Sequence, residues 1–115
     1  MTAGLTTHVL DTSREGPAEG VDVTLYRLED DERERVTAAT TNHDGRVDEP
    51  LLDADEIEAG TFELVFEVGD YYRERDAEST FLDSVPVRFL IDDPTEHYHV
   101  PLLLSPGSYT TYRGS

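Results

Sequence analysis

"TFELVFEV", residues 61–68, sets Phe62, Leu64, Phe66 and Val68 against Glu63, Val65 and Glu67. A period of two sends successive side chains to opposite faces, so the segment predicts a strand with one apolar face in a core. "VDVTLYRL" (21–28) repeats the pattern, with Val21, Val23 and Leu25 on one face and Asp22, Thr24 and Tyr26 on the other. "VPVRFLID" (85–92) does so again through Val87, Phe89 and Ile91. "LTTHVL" (5–10) is β-branched and apolar, and predicts a first strand. "VTAATTNHDGR" (36–46) predicts a short strand that enters a turn, because Gly45 after Asp44 accepts a positive φ. "HYHVPLLL" (97–104) and "SYTTYRG" (108–114) predict two last strands parted by "SPG".

Loops punctuate these strands. "DTSREGPAEG" (11–20) and "EPLLDADEIEAG" (49–60) predict loops, and the charge run "EDDERER" (29–35) predicts a solvated turn. In "GDYYRERDAEST" the alternation stops, and Asp70 is placed to cap a short helix over residues 71–78. Seven or eight short strands at regular spacing with one short helix predict an all-β fold, an antiparallel β-sandwich. Periodicity alone also admits a barrel.

A chain of 115 residues without repeats predicts one domain, residues 1–115. It has no cysteine, so disulfides and thiolate metal sites are excluded. The formal net charge is −17 and all nine basic residues are arginine, which argues against a nucleic-acid partner. An acid-rich, lysine-free composition fits a salt-filled, halophilic cytoplasm, where carboxylates keep the surface hydrated. "MTAGLTTHVLD" lacks the basic segment and apolar run of a signal peptide, and no stretch approaches the ~18 apolar residues of a membrane span. A soluble cytoplasmic protein without a membrane partner is the expectation.

His97 and His99 are two apart, so on a strand they share a face. Paired imidazoles can act as general base and acid near neutrality, can ligate a metal with a third histidine, or can simply be exposed. His8 lies mid-strand, where a structural role competes with a catalytic one, and His43 sits in a turn, where a solvated role is expected. Arg46, just after the Asp-Gly turn, offers a planar fork to carbonyl or anionic oxygens if it is more than a surface charge. The tail "YTTYRGS" (109–115) is rich in hydrogen-bonding groups, and the last twenty residues hold a single acid, Glu96. Such a tail predicts a packed terminus that reaches a site.

Three segments carry a resemblance: "LTTHVLDT" with the following Gly16, Pro17 and Ala18, "TNHDGR" (41–46), and "HYHVPLLLSPGSYTTYRGS" (97–115). Together, and in this order, they resemble the transthyretin-like 5-hydroxyisourate hydrolases over essentially the whole chain. The resemblance implies hydrolytic ring opening of 5-hydroxyisourate to 2-oxo-4-hydroxy-4-carboxy-5-ureidoimidazoline in urate degradation, with no metal or organic cofactor. It implies a homotetramer, a dimer of dimers, with sites in a channel between dimers. Carried onto matching positions, it implies site roles for His8, Arg46, His99, Tyr112 and Ser115, with His97 and Arg113 at further motif positions. The retained histidines and "YRGS" favour the enzyme over the hormone-carrier branch, which binds a small ligand without turning it over. Gly107 departs from the bulkier residue often found before "SY". "VPLLLSP" is expected to supply apolar contact between subunits. A metal-dependent hydrolase using His8, His97 and His99, and a purely structural monomeric sandwich, are the remaining alternatives.

Overall fold

The computed structural model describes residues 3–75 and 80–114. Two four-stranded sheets face each other. One has the order β2-β1-β7-β8, from β1 (Gly4–Asp11), β2 (Gly16–Pro17), β7 (His97–Leu104) and β8 (Tyr109–Thr111). The other has the order β4-β3-β5-β6, from β3 (Asp22–Glu29), β4 (Glu32–Thr40), β5 (Gly60–Glu67) and β6 (Ser84–Ile91). The expected sandwich is present, and two separate sheets rule out the barrel. One pair departs from the antiparallel rule: β1 and β7 run parallel, with Gly4 opposite His97, Thr6 opposite His99 and His8 opposite Pro101. These strands lie far apart in sequence, so no hairpin constrains their direction.

The core is the apolar half of each alternation. Val23, Leu25, Phe62, Leu64 and Phe66 are buried from the second sheet, with Val85 and Ile91 of β6, and Val21 before β3 and Val68 after β5 are buried beside them. Leu5, Val9, Tyr98, Val100, Leu102 and Leu104 meet them from the first. Most of "VPLLL" therefore fills this chain's own core. Val100, Leu102 and Leu104 face inward, so of the three leucines only Leu103 is partly exposed and open to the contact between subunits expected of this stretch. Alternation decides this, since even positions on β7 all point into the sandwich.

Two local expectations shift. The charge run is mostly strand, and its turn is only Asp30-Asp31, both with left-handed φ of 49° and 67°. Two such residues match the twist of the β3–β4 hairpin, and aspartate tolerates that region. The helix α1 spans Val68–Glu74 rather than beginning at residue 71, and residues 76–78 of the expected helix lie outside the described residues. Asp70 sits inside the first turn instead of capping it, and its carboxylate accepts a 2.7 Å hydrogen bond from Arg73. Val68, Tyr71 and Tyr72, at helical spacing, bury one face and set the start.

Candidate active site

β1 and β7 lie side by side in the first sheet, and their outward positions carry the polar residues. Thr6 and His8 project from β1, and His97 and His99 from β7, all partly buried. Thr6 lies between the two β7 histidines: its Oγ1 is 3.1 Å from His97 Nε2 and 2.8 Å from His99 Nδ1. The expectation that His97 and His99 share a face is met, and Tyr98 between them points into the core.

The "TNHDGR" turn delivers Arg46 to the same face. Asn42 folds it, its Oδ1 accepting from Asp44 N at 2.9 Å and Arg46 N at 3.2 Å. Gly45 has φ +74° and its carbonyl accepts from Val9 N at 2.8 Å. A Cβ on Gly45 would lie 2.3 Å from the Val9 carbonyl oxygen, so only glycine lets the turn dock on β1. Docking forms a β-bridge between Arg46 and His8. Arg46 is thus held at its backbone while its side chain stays exposed.

The electrostatics follow from this placement. Burial lowers the pKa of His8 below the ordinary imidazole value, and the Arg46 charge lowers it further, while Asp44 acts in the opposite direction. His99 is lowered by burial first, then by the charges of Arg46, His8 and His97. Both rings are held in the neutral form, the form that can take a proton from water. Among the described residues no three His, Asp or Glu side chains converge to hold a metal ion. His43, by contrast, is exposed in its turn, its side chain 79% accessible.

The chain's end divides. Gly114 N donates to the His99 carbonyl at 2.8 Å, and a Cβ on Gly114 would lie 2.6 Å from His99 Cδ2. The backbone at Gly114 therefore packs against His99, and among the described residues no polar side chain of the tail accompanies it there. Tyr112 and Arg113 turn elsewhere. They line a cleft of about 380 Å³ at the free edges of the two sheets, with Phe89 and Leu90 of β6. The Arg113 guanidinium stacks 4.3 Å from the Tyr98 ring centroid and pairs with Glu96 at 3.5 Å. Within one chain His8, Arg46, His97 and His99 come together; Tyr112 does not join them, and Arg113 reaches only the His97 backbone carbonyl, to which it donates at 3.4 Å. Ser115 lies outside the described residues.

Two contributors were not singled out in the sequence. Thr6 stands two residues before His8, so period-two alternation places it on the same face; that signal was available. Gly114 carries no side chain to mark it, and only its approach to the His99 ring reveals it.

The structure is a two-sheet β-sandwich with a histidine–arginine cluster on one outer sheet face. This chain belongs to the HIUase/Transthyretin family, whose model matches residues 5–114. It is 50% identical to the 5-hydroxyisourate hydrolase of Pseudomonas aeruginosa over 114 residues, covering 96% of this chain and 90% of that protein. The solved 5-hydroxyisourate hydrolase of Klebsiella pneumoniae superposes with a TM-score of 0.84 at 36% identity, covering both chains completely. Sea bream transthyretin, solved with thyroxine, superposes with a TM-score of 0.88 at 25% identity, over 96% of this chain and 93% of that one.

Proposed function

We propose that this chain is an enzyme that hydrolyses 5-hydroxyisourate to 2-oxo-4-hydroxy-4-carboxy-5-ureidoimidazoline in urate degradation. The observation that carries this reading is the pairing of two neutral-held imidazoles, His8 and His99, with the Arg46 charge on one sheet face. The identity to curated hydrolases over nearly the full chain supports it.

The product carries a carboxyl and a ureido group, the two halves of an opened cyclic acyl–nitrogen bond. Water must add to the acyl carbon, the carbonyl oxygen must carry negative charge, and the leaving nitrogen must gain a proton. A neutral imidazole, His99 or His8, takes the proton from the attacking water, and the other relays it or gives one to the nitrogen. Arg46 binds the substrate's oxygens and stabilises the charge that develops on them. Tyr112 orients substrate and Ser115 orients a histidine or the water, with His97 and Arg113 in supporting roles. Tyr112 and Arg113 line the edge cleft within one chain, so we assign their contribution to a neighbouring subunit's site. A homotetramer, a dimer of dimers, accounts for this, because an outer sheet face becomes a channel only when another subunit roofs it. The reaction proceeds without metal or organic cofactor, in a cytoplasm rich in salt.

The test generates 5-hydroxyisourate in situ with urate oxidase, in concentrated salt, and follows its ultraviolet decay. Accelerated decay that survives a chelator and is lost in His99→Asn is the expected result. A folded protein that leaves the decay unchanged overturns the enzyme reading and favours a transthyretin-type ligand carrier. Loss of activity on chelation revives the metal-dependent alternative.

A further inference from the structure

Thr6 offers one hydroxyl to two imidazoles. Its Oγ1 lies 3.1 Å from His97 Nε2 and 2.8 Å from His99 Nδ1, and no other side-chain partner of this oxygen is seen among the described residues. A hydroxyl has one proton to donate and lone pairs to accept with. With both rings neutral, it donates to one ring nitrogen and accepts N–H from the other. If it donates to His97 Nε2, then His99 Nδ1 carries a proton and His99 Nε2 is bare. If it donates to His99 Nδ1, then His99 Nε2 carries the proton and so does His97 Nε2.

We propose that Thr6 is a positioning residue for the hydrolysis, its single hydroxyl proton forcing His97 and His99 into like tautomers. The proposal rests on the hydrolase reading above, with His99 as the imidazole that handles the water proton. The two states differ by a balanced proton shift. A proton taken up at His99 Nε2 is matched by transfer of the Nδ1 proton to Thr6 Oγ1. The hydroxyl proton passes to His97 Nε2, and His97 releases its own Nδ1 proton to solvent. His99 begins as a base with bare Nε2 and ends with an N–H that can protonate the leaving nitrogen. His97, which the motif placed without a clear role, becomes the far end of this relay.

Other charges also face these rings. Arg46 and His8 act on His99 from the turn and from β1, and Asp44 stands beside His8. Arg46 and His8 favour a neutral His99, Asp44 opposes the lowering at His8, and none of them selects a tautomer at His97 and His99 together. The Thr6 hydroxyl does, since it touches both.

The test reads tautomers directly, by ring-nitrogen chemical shifts of ¹⁵N-histidine-labelled protein at about pH 8, above the ordinary imidazole pKa. Like tautomers on His97 and His99 in the native chain, with independent tautomers in Thr6→Val and recovery in Thr6→Ser, are expected. Unlike tautomers in the native chain overturn the proposal, whatever the activity. In the decay assay, Thr6→Val should lose about 10- to 100-fold in kcat with KM little changed, as when a group that orients a working imidazole is removed. Thr6→Ser should restore most of it. Equal activity in Thr6→Val and the native chain also overturns the proposal. Absence of hydrolysis by the native chain overturns the hydrolase reading instead, and the tautomer measurement still stands.

Discussion

At the scale of single residues, the proposed chemistry needs His8 and His99 uncharged. Burial and the Arg46 charge lower both pKa values below 6.5. The base form therefore survives into mildly acidic solution, and the acid limb of a kcat/KM profile should fall below pH 6.5, the ordinary value from which both are displaced. Arg46→Gln removes one lowering influence and should shift that limb upward in pH, besides costing rate. The same shifts work against stability in acid. Between the folded and unfolded pKa values the unfolded chain binds more protons, so stability declines as pH falls through 6.5. Equilibrium unfolding across this range should show the decline, less steeply in His8→Asn. Replacing Arg46 by lysine keeps the charge but loses the planar fork, and a drop of about 10-fold or more in kcat/KM is expected if oxygen recognition is bidentate. An unchanged rate in Arg46→Lys would reduce Arg46 to a point charge.

At the scale of elements, β1 serves two faces. Its outward residues build the site, and its inward Asp11 is fully buried. The Asp11 carboxylate accepts from Tyr71 at 2.8 Å and Tyr72 at 3.0 Å on α1, and from the backbone and hydroxyl of Ser13. Burial raises its pKa, but these hydrogen bonds outweigh that and leave it lowered. Its contribution to stability is present above the unfolded value near 3.8 and is lost as pH falls through the lower folded value. Asp11→Ala leaves buried hydroxyls without a partner and should cost about 2–4 kcal/mol, with Asp11→Asn milder. A shift in the urea midpoint measures both. The turn after β4 is equally demanding. Gly45→Ala must place a methyl group against the Val9 carbonyl at a positive φ, at a cost of about 1–3 kcal/mol. Because Arg46 follows directly, kcat/KM should fall with stability, and a variant that weakens only one of the two would break this link.

These elements were unequally legible. Alternation in "VDVTLYRL" and "TFELVFEV" marks β3 and β5 within a residue, because one buried face leaves a period-two trace. The helix start was misplaced because Asp70 looks like a cap, whereas the buried Val68, Tyr71 and Tyr72 decide where the helix begins. Residues Glu32 to Arg35 belong to β4 although all four are charged. Exposed strand residues carry no apolar signal, and only pairing with β3 holds them extended.

At the scale of the whole molecule, charge dominates. Each chain brings a formal −17, and bringing several together at low salt opposes assembly. Screening shortens from about 10 Å at 0.1 M to about 3 Å at 1 M salt. Sizing should therefore show a tetramer in molar salt that dissociates on dilution of salt, with activity falling in parallel if the site is shared between subunits. A fully active monomer would remove the shared channel. Among the described residues no helix is long and apolar enough to cross a membrane.

What the sequence determined by itself was local and additive. Strand alternation named the sandwich, and three short motifs named the family and pointed to His8, Arg46 and His99. What the tertiary structure decided was which distant segments meet. The parallel register of β1 on β7 sets Thr6 between His97 and His99, and the glycine turn brings Arg46 beside His8. Tyr112 and Arg113, adjacent in the motif, turn instead toward the free sheet edges. The β1–β7 register cannot be read from periodicity, because pairing between segments some ninety residues apart depends on how two apolar faces close on one core.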